Sequence, residues 1–187
     1  MMKLILGIVF ALIASIQADL SWKNCDSKSF IKIDDISPRG EINKDTQLKA
    51  KITSTSTYTD ANMKAVVEVV VKKDSWFGMI TIPKWVMGIV APIIAAQIPG
   101  VKHLSGNKFE VGCEAAKNFL PECPPKVGTY DVGPVDLKKI FEQVKAKGGI
   151  AVTYIGSGTY EIKADVTISQ TQETLACLEL DNLKIKM

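Results

Sequence analysis

In residues 158–180, GTYEIKADVTISQTQETLACLEL, apolar and polar side chains take turns along the chain. Tyr160, Ile162, Ala164, Val166 and Ile168 alternate with Glu161, Lys163, Asp165 and Thr167. Side chains on a strand point to opposite faces in turn, so this pattern makes one dry face and one wet face. Beyond the polar stretch, Leu178 and Leu180 alternate with Glu179 and Asp181. The reading is a β-hairpin connected through Ser169–Thr174.

The same period recurs upstream. Leu48, Ala50 and Ile52 alternate with Lys49 and Lys51. Ala65, Val67, Val69 and Val71 line one side of a β-branched run, with Glu68 and Lys72 on the other and Val66 and Val70 leaving that side partly apolar. Short amphipathic strands between polar turns predict a mainly β chain built as an antiparallel sandwich. The chain has 187 residues, 47% apolar and 23% charged, which suits one globular domain and excludes wholesale disorder. Its net charge of +3 is too mild for a dedicated nucleic-acid binder, and suits weak attraction to anionic lipid.

Two segments depart from the β pattern. Trp85–Val101 carries no charge and lies between Lys84 and Lys102. As a helix it would span about 26 Å, short of the ~30 Å of a bilayer core. Pro92 and Pro99 would interrupt it, so a transmembrane helix is rejected. Two readings of this apolar loop or helix, about 84–101, stay open: a buried core segment, or a partly exposed element that touches a membrane or covers a lipid. The second segment, about 136–147, reads as a short amphipathic helix. Leu137, Ile140, Phe141 and Val144 share a face, Lys138, Lys139, Lys145 and Lys147 lie elsewhere, and Gly148-Gly149 ends it. Its lysines are either solvated or rest on an anionic surface.

Residues 1–18 read as a secretory signal peptide: Lys3, an apolar Leu4–Ile16, and a small Ala18 before the cut, leaving a domain at 19–187. Secretion makes four cysteines a disulfide set, with three possible pairings. The simplest is Cys25–Cys177, tying the two ends of the domain, with Cys113–Cys123. In chain-entropy terms the first is worth about 5 kcal/mol and the second about 3. A zinc site is the competing reading, without a CxxC or a suitably spaced histidine to support it.

Signs of catalysis are sparse. His103 is the sole histidine, which excludes a His-rich metal site or a histidine pair, and no GxSxG accompanies it. Asp34 and Asp35 are adjacent, so on a strand they point apart and cannot share a proton. Gly156-Ser157-Gly158 lacks the P-loop pattern and reads as a turn. No Asn-X-Ser/Thr sequon is present.

Several short motifs occur in an order that resembles the ML (MD-2-related lipid-recognition) superfamily, and within it the ganglioside GM2 activator branch. They are SWKNCD at 21–26, ITIP at 80–83, KVGTY at 126–130 and GTYEI at 158–162, together with the placement of Cys25 and Cys177. The resemblance covers most of residues 20–187. It implies an immunoglobulin-like β-sandwich whose sheets splay to hold a lipid tail, with the end-tying and mid-chain disulfides named above. The activator branch carries more cysteines, and residues 136–157 look like an insertion relative to the family.

The implied function is a secreted or endolysosomal lipid-binding and transfer protein, not an enzyme, with no cofactor, metal or catalytic residue. Its partners would be a lipid (glycolipid, phospholipid or sterol), a membrane surface met transiently, and a lipid hydrolase or receptor. The expected cavity residues are Ala50, Ile52, Ala65, Val67, Val69, Val71, Ile82, Tyr130, Phe141, Ile162, Ala164 and Val166, many of them small or β-branched. The expected mouth and membrane edge comprise Trp76, Phe77, Trp85, Met87, Ile89, Val90, Ile93, Ile94 and Ile98, with Lys84 and Lys102 toward headgroups. The rivals are a membrane-inserting or pore-forming effector using 85–101, a secreted lipase, and a receptor ligand.

Overall fold

The structure, a computed structural model, describes residues 20–38, 40–55, 63–116, 122–123 and 125–187. The proposed signal peptide lies outside them. Of the described residues, 52% are in strands. The larger sheet runs in the order β1 (Ser21–Asn24), β11 (Thr174–Lys186), β10 (Gly158–Ile168), β5 (Lys64–Ser75), β8 (Lys108–Gly112), β7 (Val101–Ser105). The short β3 (Ile42–Asn43) lies parallel beside β11, and β6 (Gly78–Thr81) pairs with β5. A second, three-stranded sheet has the order β2 (Ile31–Ser37), β4 (Gln47–Ser54), β9 (Gly128–Asp136). All pairings but that of β3 are antiparallel, as a sandwich requires.

The expected hairpin is β10–β11, and β5 lies on its other side. Ile162, Ala164, Val166 and Ile168 stand opposite Val71, Val69, Val67 and Ala65, so two alternating runs meet in register. On β11, Ala164 and Ile162 face Leu178 and Leu180. The register then shifts: Tyr160 pairs with Leu183 rather than Asn182, and Asn182 has φ +58°. A residue inserted there resets the alternation, so Leu183 and Ile185, not Asn182 and Lys184, join Tyr160 and Ile162 in the core. Asparagine suits the left-handed region, which most side chains avoid.

One face of the large sheet is wet. Lys23–Glu179, Lys72–Glu161, Lys64–Glu110, Lys108–Glu68 and Lys163–Asp165 form ion pairs at 2.6–3.3 Å. The Lys23 ammonium holds the Glu179 carboxyl below its usual range, chiefly by hydrogen bonding. The opposite face is covered in two ways. At one end, Phe30 and Ile31 beside and on β2 pack on Met63, Ala65, Ile168 and Leu175. At the other, Val71 meets helices instead: Ile82, Val86, Val90, Val144 and Ala151 form a separate cluster with it. Between them, Ile36 and Leu48 of the small sheet join Tyr160, Leu183, Leu137 and Phe141.

Helix α1 spans Lys84–Ala95 and continues one turn past its expected break at Pro92. Proline forfeits one backbone hydrogen bond there, which packing of Val86, Val90, Ala91 and Ala95 against the core outweighs. The next residues turn, and Val101 already begins β7. Helix α2 is the single turn Cys113–Ala116. Helix α3 starts at Lys138, two residues later than 136, because Asp136 still pairs with Gln47 as the end of β9. Gly148-Gly149 ends α3 as expected, with Gly149 at φ +53°, but the chain turns at once into a short α4, Ala151–Ile155. No helix of the described residues is long and apolar enough to cross a membrane. Both disulfides, Cys25–Cys177 and Cys113–Cys123, are present, which points to an oxidising, extracellular or lumenal environment.

Candidate functional site

An apolar cavity of about 180 Å³ lies between the large sheet and the helices. Its floor is Val71, Tyr160, Ile162, Ile185 and Met187 from β5, β10 and the end of the chain. Its roof is Met87, Val90 and Ile94 of α1, Ile140, Phe141 and Val144 of α3, and Ile155 of α4. The cavity forms because a flat sheet face meets convex helices. The floor's Val71, Ile162 and Ile185 are short, β-branched side chains, and three short helices leave a gap above them.

Tyr160 is the one lining residue with a polar side-chain group, and that group is occupied. It is 2% exposed, and its hydroxyl donates to the carbonyl of Gly156. Burial, and then the charge of Asp74, push its ionisation well above the ordinary tyrosine range. It therefore presents a neutral ring to the cavity. Such a lining favours hydrocarbon over water, because water needs two to four polar partners to stay in a cavity.

Of the residues expected to meet a lipid, Val71, Met87, Val90, Ile94, Phe141 and Ile162 line this space. The others lie elsewhere. Ala65 and Val166 belong to the cluster under the small sheet, where Met63, Phe30 and Ile31 fill the space beside them. Val67, Val69 and Ala164 sit along the middle strands, and Ala50 and Ile52 on β4, outside the cavity wall. Ile82 is buried beneath α1 and Ile93 packs partly against the same cluster. Ile98 is half-buried in the turn after α1. Tyr130 lies on β9, its hydroxyl 2.8 Å from a Glu122 carboxylate oxygen and 2.9 Å from the Lys126 carbonyl. Partial burial and the hydrogen bond with Glu122 raise its ionisation. The cavity is thus roofed by helices, not by the second sheet.

Helix α1 has one buried face and one exposed face. Val86, Val90, Ala91 and Ala95 are buried, while Trp85 is 46% exposed and Ile89 is also exposed. Trp85 meets Tyr154 of α4 edge-on, with ring centroids 5.0 Å apart. Trp76 and Phe77, at the tip of the β5–β6 hairpin, are 96% and 93% exposed. Large aromatic groups seldom face water without a partner to meet.

Sequence reasoning missed Ile140, Val144, Ile155, Tyr160, Ile185 and Met187 as wall residues. Ile140 and Val144 stood on a recognised apolar face, and nothing local says that this face roofs a gap. Ile185 and Met187 lie beyond the Asn182 bulge, where strict alternation gives the wrong parity.

Other chemistry-bearing residues are occupied structurally. His103 Nε2 lies 3.1 Å from the Gly106 carbonyl and its ring packs edge-on to Phe109, which braces the β7–β8 turn. Asp34 accepts a hydrogen bond from Thr53. Ser157 accepts one from the Met187 backbone. Cys25, Asp165 and Cys177 converge closely enough for a metal ion, but the disulfide consumes both thiolates that would ligate it. No family model matches the chain, and no curated protein matches it.

Proposed function

We propose that this chain is a lipid-binding and lipid-transfer protein of the ML type, secreted or endolysosomal. On this reading its sandwich is immunoglobulin-like and its ligand is a membrane lipid whose tail enters the helix-roofed cavity. The single observation that carries the reading is that cavity: apolar, roofed by helices, and with its one hydroxyl satisfied internally.

A tail that leaves water for such a space gains ~0.8 kcal/mol per CH₂. A tail that leaves a bilayer gains almost nothing, since one apolar medium replaces another. That near-balance is what a carrier needs, because the lipid must also be released. The exposed aromatics Trp76, Phe77 and Trp85 supply a membrane-facing edge, where indole rings favour the interface. No bond is made or broken, so the protein binds and presents the lipid, to a receiving membrane, a hydrolase or a receptor.

Transfer of a fluorescent phospholipid or glycolipid between liposomes tests this. The rate should rise with protein concentration, with the lipid recovered intact. Ile94→Trp places bulk into the cavity and should lower transfer about tenfold, the equivalent of roughly two CH₂ groups excluded, at an unchanged or higher melting temperature. Dye leakage from the same liposomes, without transfer, would favour the membrane-inserting reading. Hydrolysed lipid would favour the lipase.

A further inference from the structure

The two halves of the cavity roof are anchored differently. Helix α1 is entered just after Ile82, whose backbone N–H donates to the Val71 carbonyl at 2.9 Å, and it is soon followed by β7, so the large sheet holds the chain on both sides of it. It buries Val86, Val90, Ala91 and Ala95. Helices α3 and α4 bury one side chain each, Val144 and Ala151, and neither begins on a side-chain cap. Among the described residues, no hydrogen bond or ion pair of 139–155 reaches the sheet or α1. The polar ties flank this segment. Before it, Asp136 pairs with Gln47. After it, the Tyr160 hydroxyl donates to the Gly156 carbonyl, and the Met187 N–H to Ser157 Oγ at 2.9 Å. Inside α3 one polar atom has no partner: Gln143 Oε1 is buried and accepts no hydrogen bond. Gln143 stands three residues after Ile140, which packs on the cluster containing Val86 and Val90, so it lies on the flank of α3 toward α1.

We propose that α3 and α4 are a lid, moving as one unit between Asp136 and Gly156 while α1 and the sheet stay in place, and that Gln143 sets how often it opens. The inference rests on the lipid-binding reading above and adds how the cavity is entered. Opening withdraws Ile140, Phe141, Val144 and Ile155 from the roof and exposes the floor. It also parts Tyr154 from Trp85. Against that cost stands the Gln143 carbonyl. Closed, it has lost its hydration and gained no donor; open, water restores it. An apolar side chain at 143 would hold the lid shut, and a charged one would keep it open. An amide keeps opening within reach of local fluctuation.

Hydrogen exchange of the backbone amides, followed by mass spectrometry on the full protein without lipid, tests the lid. Peptides within 139–155 should exchange about tenfold faster, or more, than those of 84–95 and 160–168, with one common rate across both helices. Gln143→Met is close in volume and lacks the unpartnered carbonyl. It should slow that exchange about tenfold, in α3 and α4 alike. Gln143→Glu should speed it by at least as much, since a buried charge is costlier than an amide. Exchange of 84–95 should stay the same in both variants. Equal protection of 139–155 and 84–95, or an effect confined to the turn around residue 143, would overturn the lid. Wild-type exchange rates in Gln143→Met would overturn the role of Gln143. Transfer of a fluorescent phospholipid between liposomes should follow exchange, slower in Gln143→Met and faster in Gln143→Glu. Variants that shift exchange but leave transfer unchanged would overturn the lid as the entry route. If the wild type shows the expected exchange and no transfer at all, the lipid-binding reading fails and the lid motion stands.

Discussion

The two ends of one sheet face are built differently. Under the small sheet, Ala65, Ile168 and Leu175 are packed by Phe30 and Ile31, and both disulfides lie on that side: Cys113 and Cys123 join the cluster, and Cys177 is two residues from Leu175. Under the helices, Val71 and Ile162 face a gap, and no cross-link ties α1, α3 or α4 to the sheet among the described residues. One end is filled and stapled; the other is hollow and held by apolar contact and a few hydrogen bonds, without a disulfide. Rigidity and adaptability are thus divided along a single pair of strands. A binding site belongs at the less stable end, because a cover that must open cannot be the part that holds the fold together.

The largest expected effect breaks the stapled end. The double variant Cys25→Ser/Cys177→Ser removes a bond that closes a 152-residue separation and should cost about 2–5 kcal/mol in denaturant unfolding. If that loss is absent, the division between the two ends is wrong.

Tyr160→Phe probes the boundary. It leaves the Gly156 carbonyl without its donor and should cost about 1–3 kcal/mol. It should also change the alkaline limb. The folded state holds Tyr160 neutral, with its ionisation raised above the ordinary value of 10.0. The contribution to stability is therefore complete below pH 10.0 and falls as pH rises through the folded-state value, because the unfolded chain loses its proton first. Unfolding curves of wild type between pH 9 and 12 should show that decline, and those of Tyr160→Phe a shallower one.

Trp85→Ala should have the smallest effect on stability. It removes an edge-on contact with Tyr154 worth about 0.5–1.5 kcal/mol. Because Trp85 is part of the roof's outer face, liposome binding should fall more than the melting temperature does. A large drop in melting with full liposome binding would make α1 a core helix and no more.

The strand pattern was legible where both neighbours obey the same period. Tyr160–Ile168 and Ala65–Val71 each alternate, and opposite each other they need no outside information to define an inner face. Legibility ended at Asn182. A bulge costs one residue of register, and local alternation has no way to announce it. The helix at 84–95 was visible as an uncharged run, yet its two faces were not separable by composition, since nearly every position is apolar. Three-dimensional placement alone decides that Val90 is buried and Ile89 exposed.

Taken alone, the sequence determined the class of the chain: alternating runs that read as half-buried strands, an amphipathic segment around Phe141, and four cysteines, two of them near the ends of the domain. These are local properties, written in period and residue type. Only the tertiary structure decided where empty space falls. The expected lining ran from Ala65, Val67 and Val69, small side chains that leave room, to Val71, Ile162, Phe141 and Val90. Yet Ala65 is buried under Met63 and Phe30, and the cavity lies where Val71 and Ile162 meet Val90 and Val144. A cavity is a failure of two surfaces to match, and neither surface carries the record of it by itself.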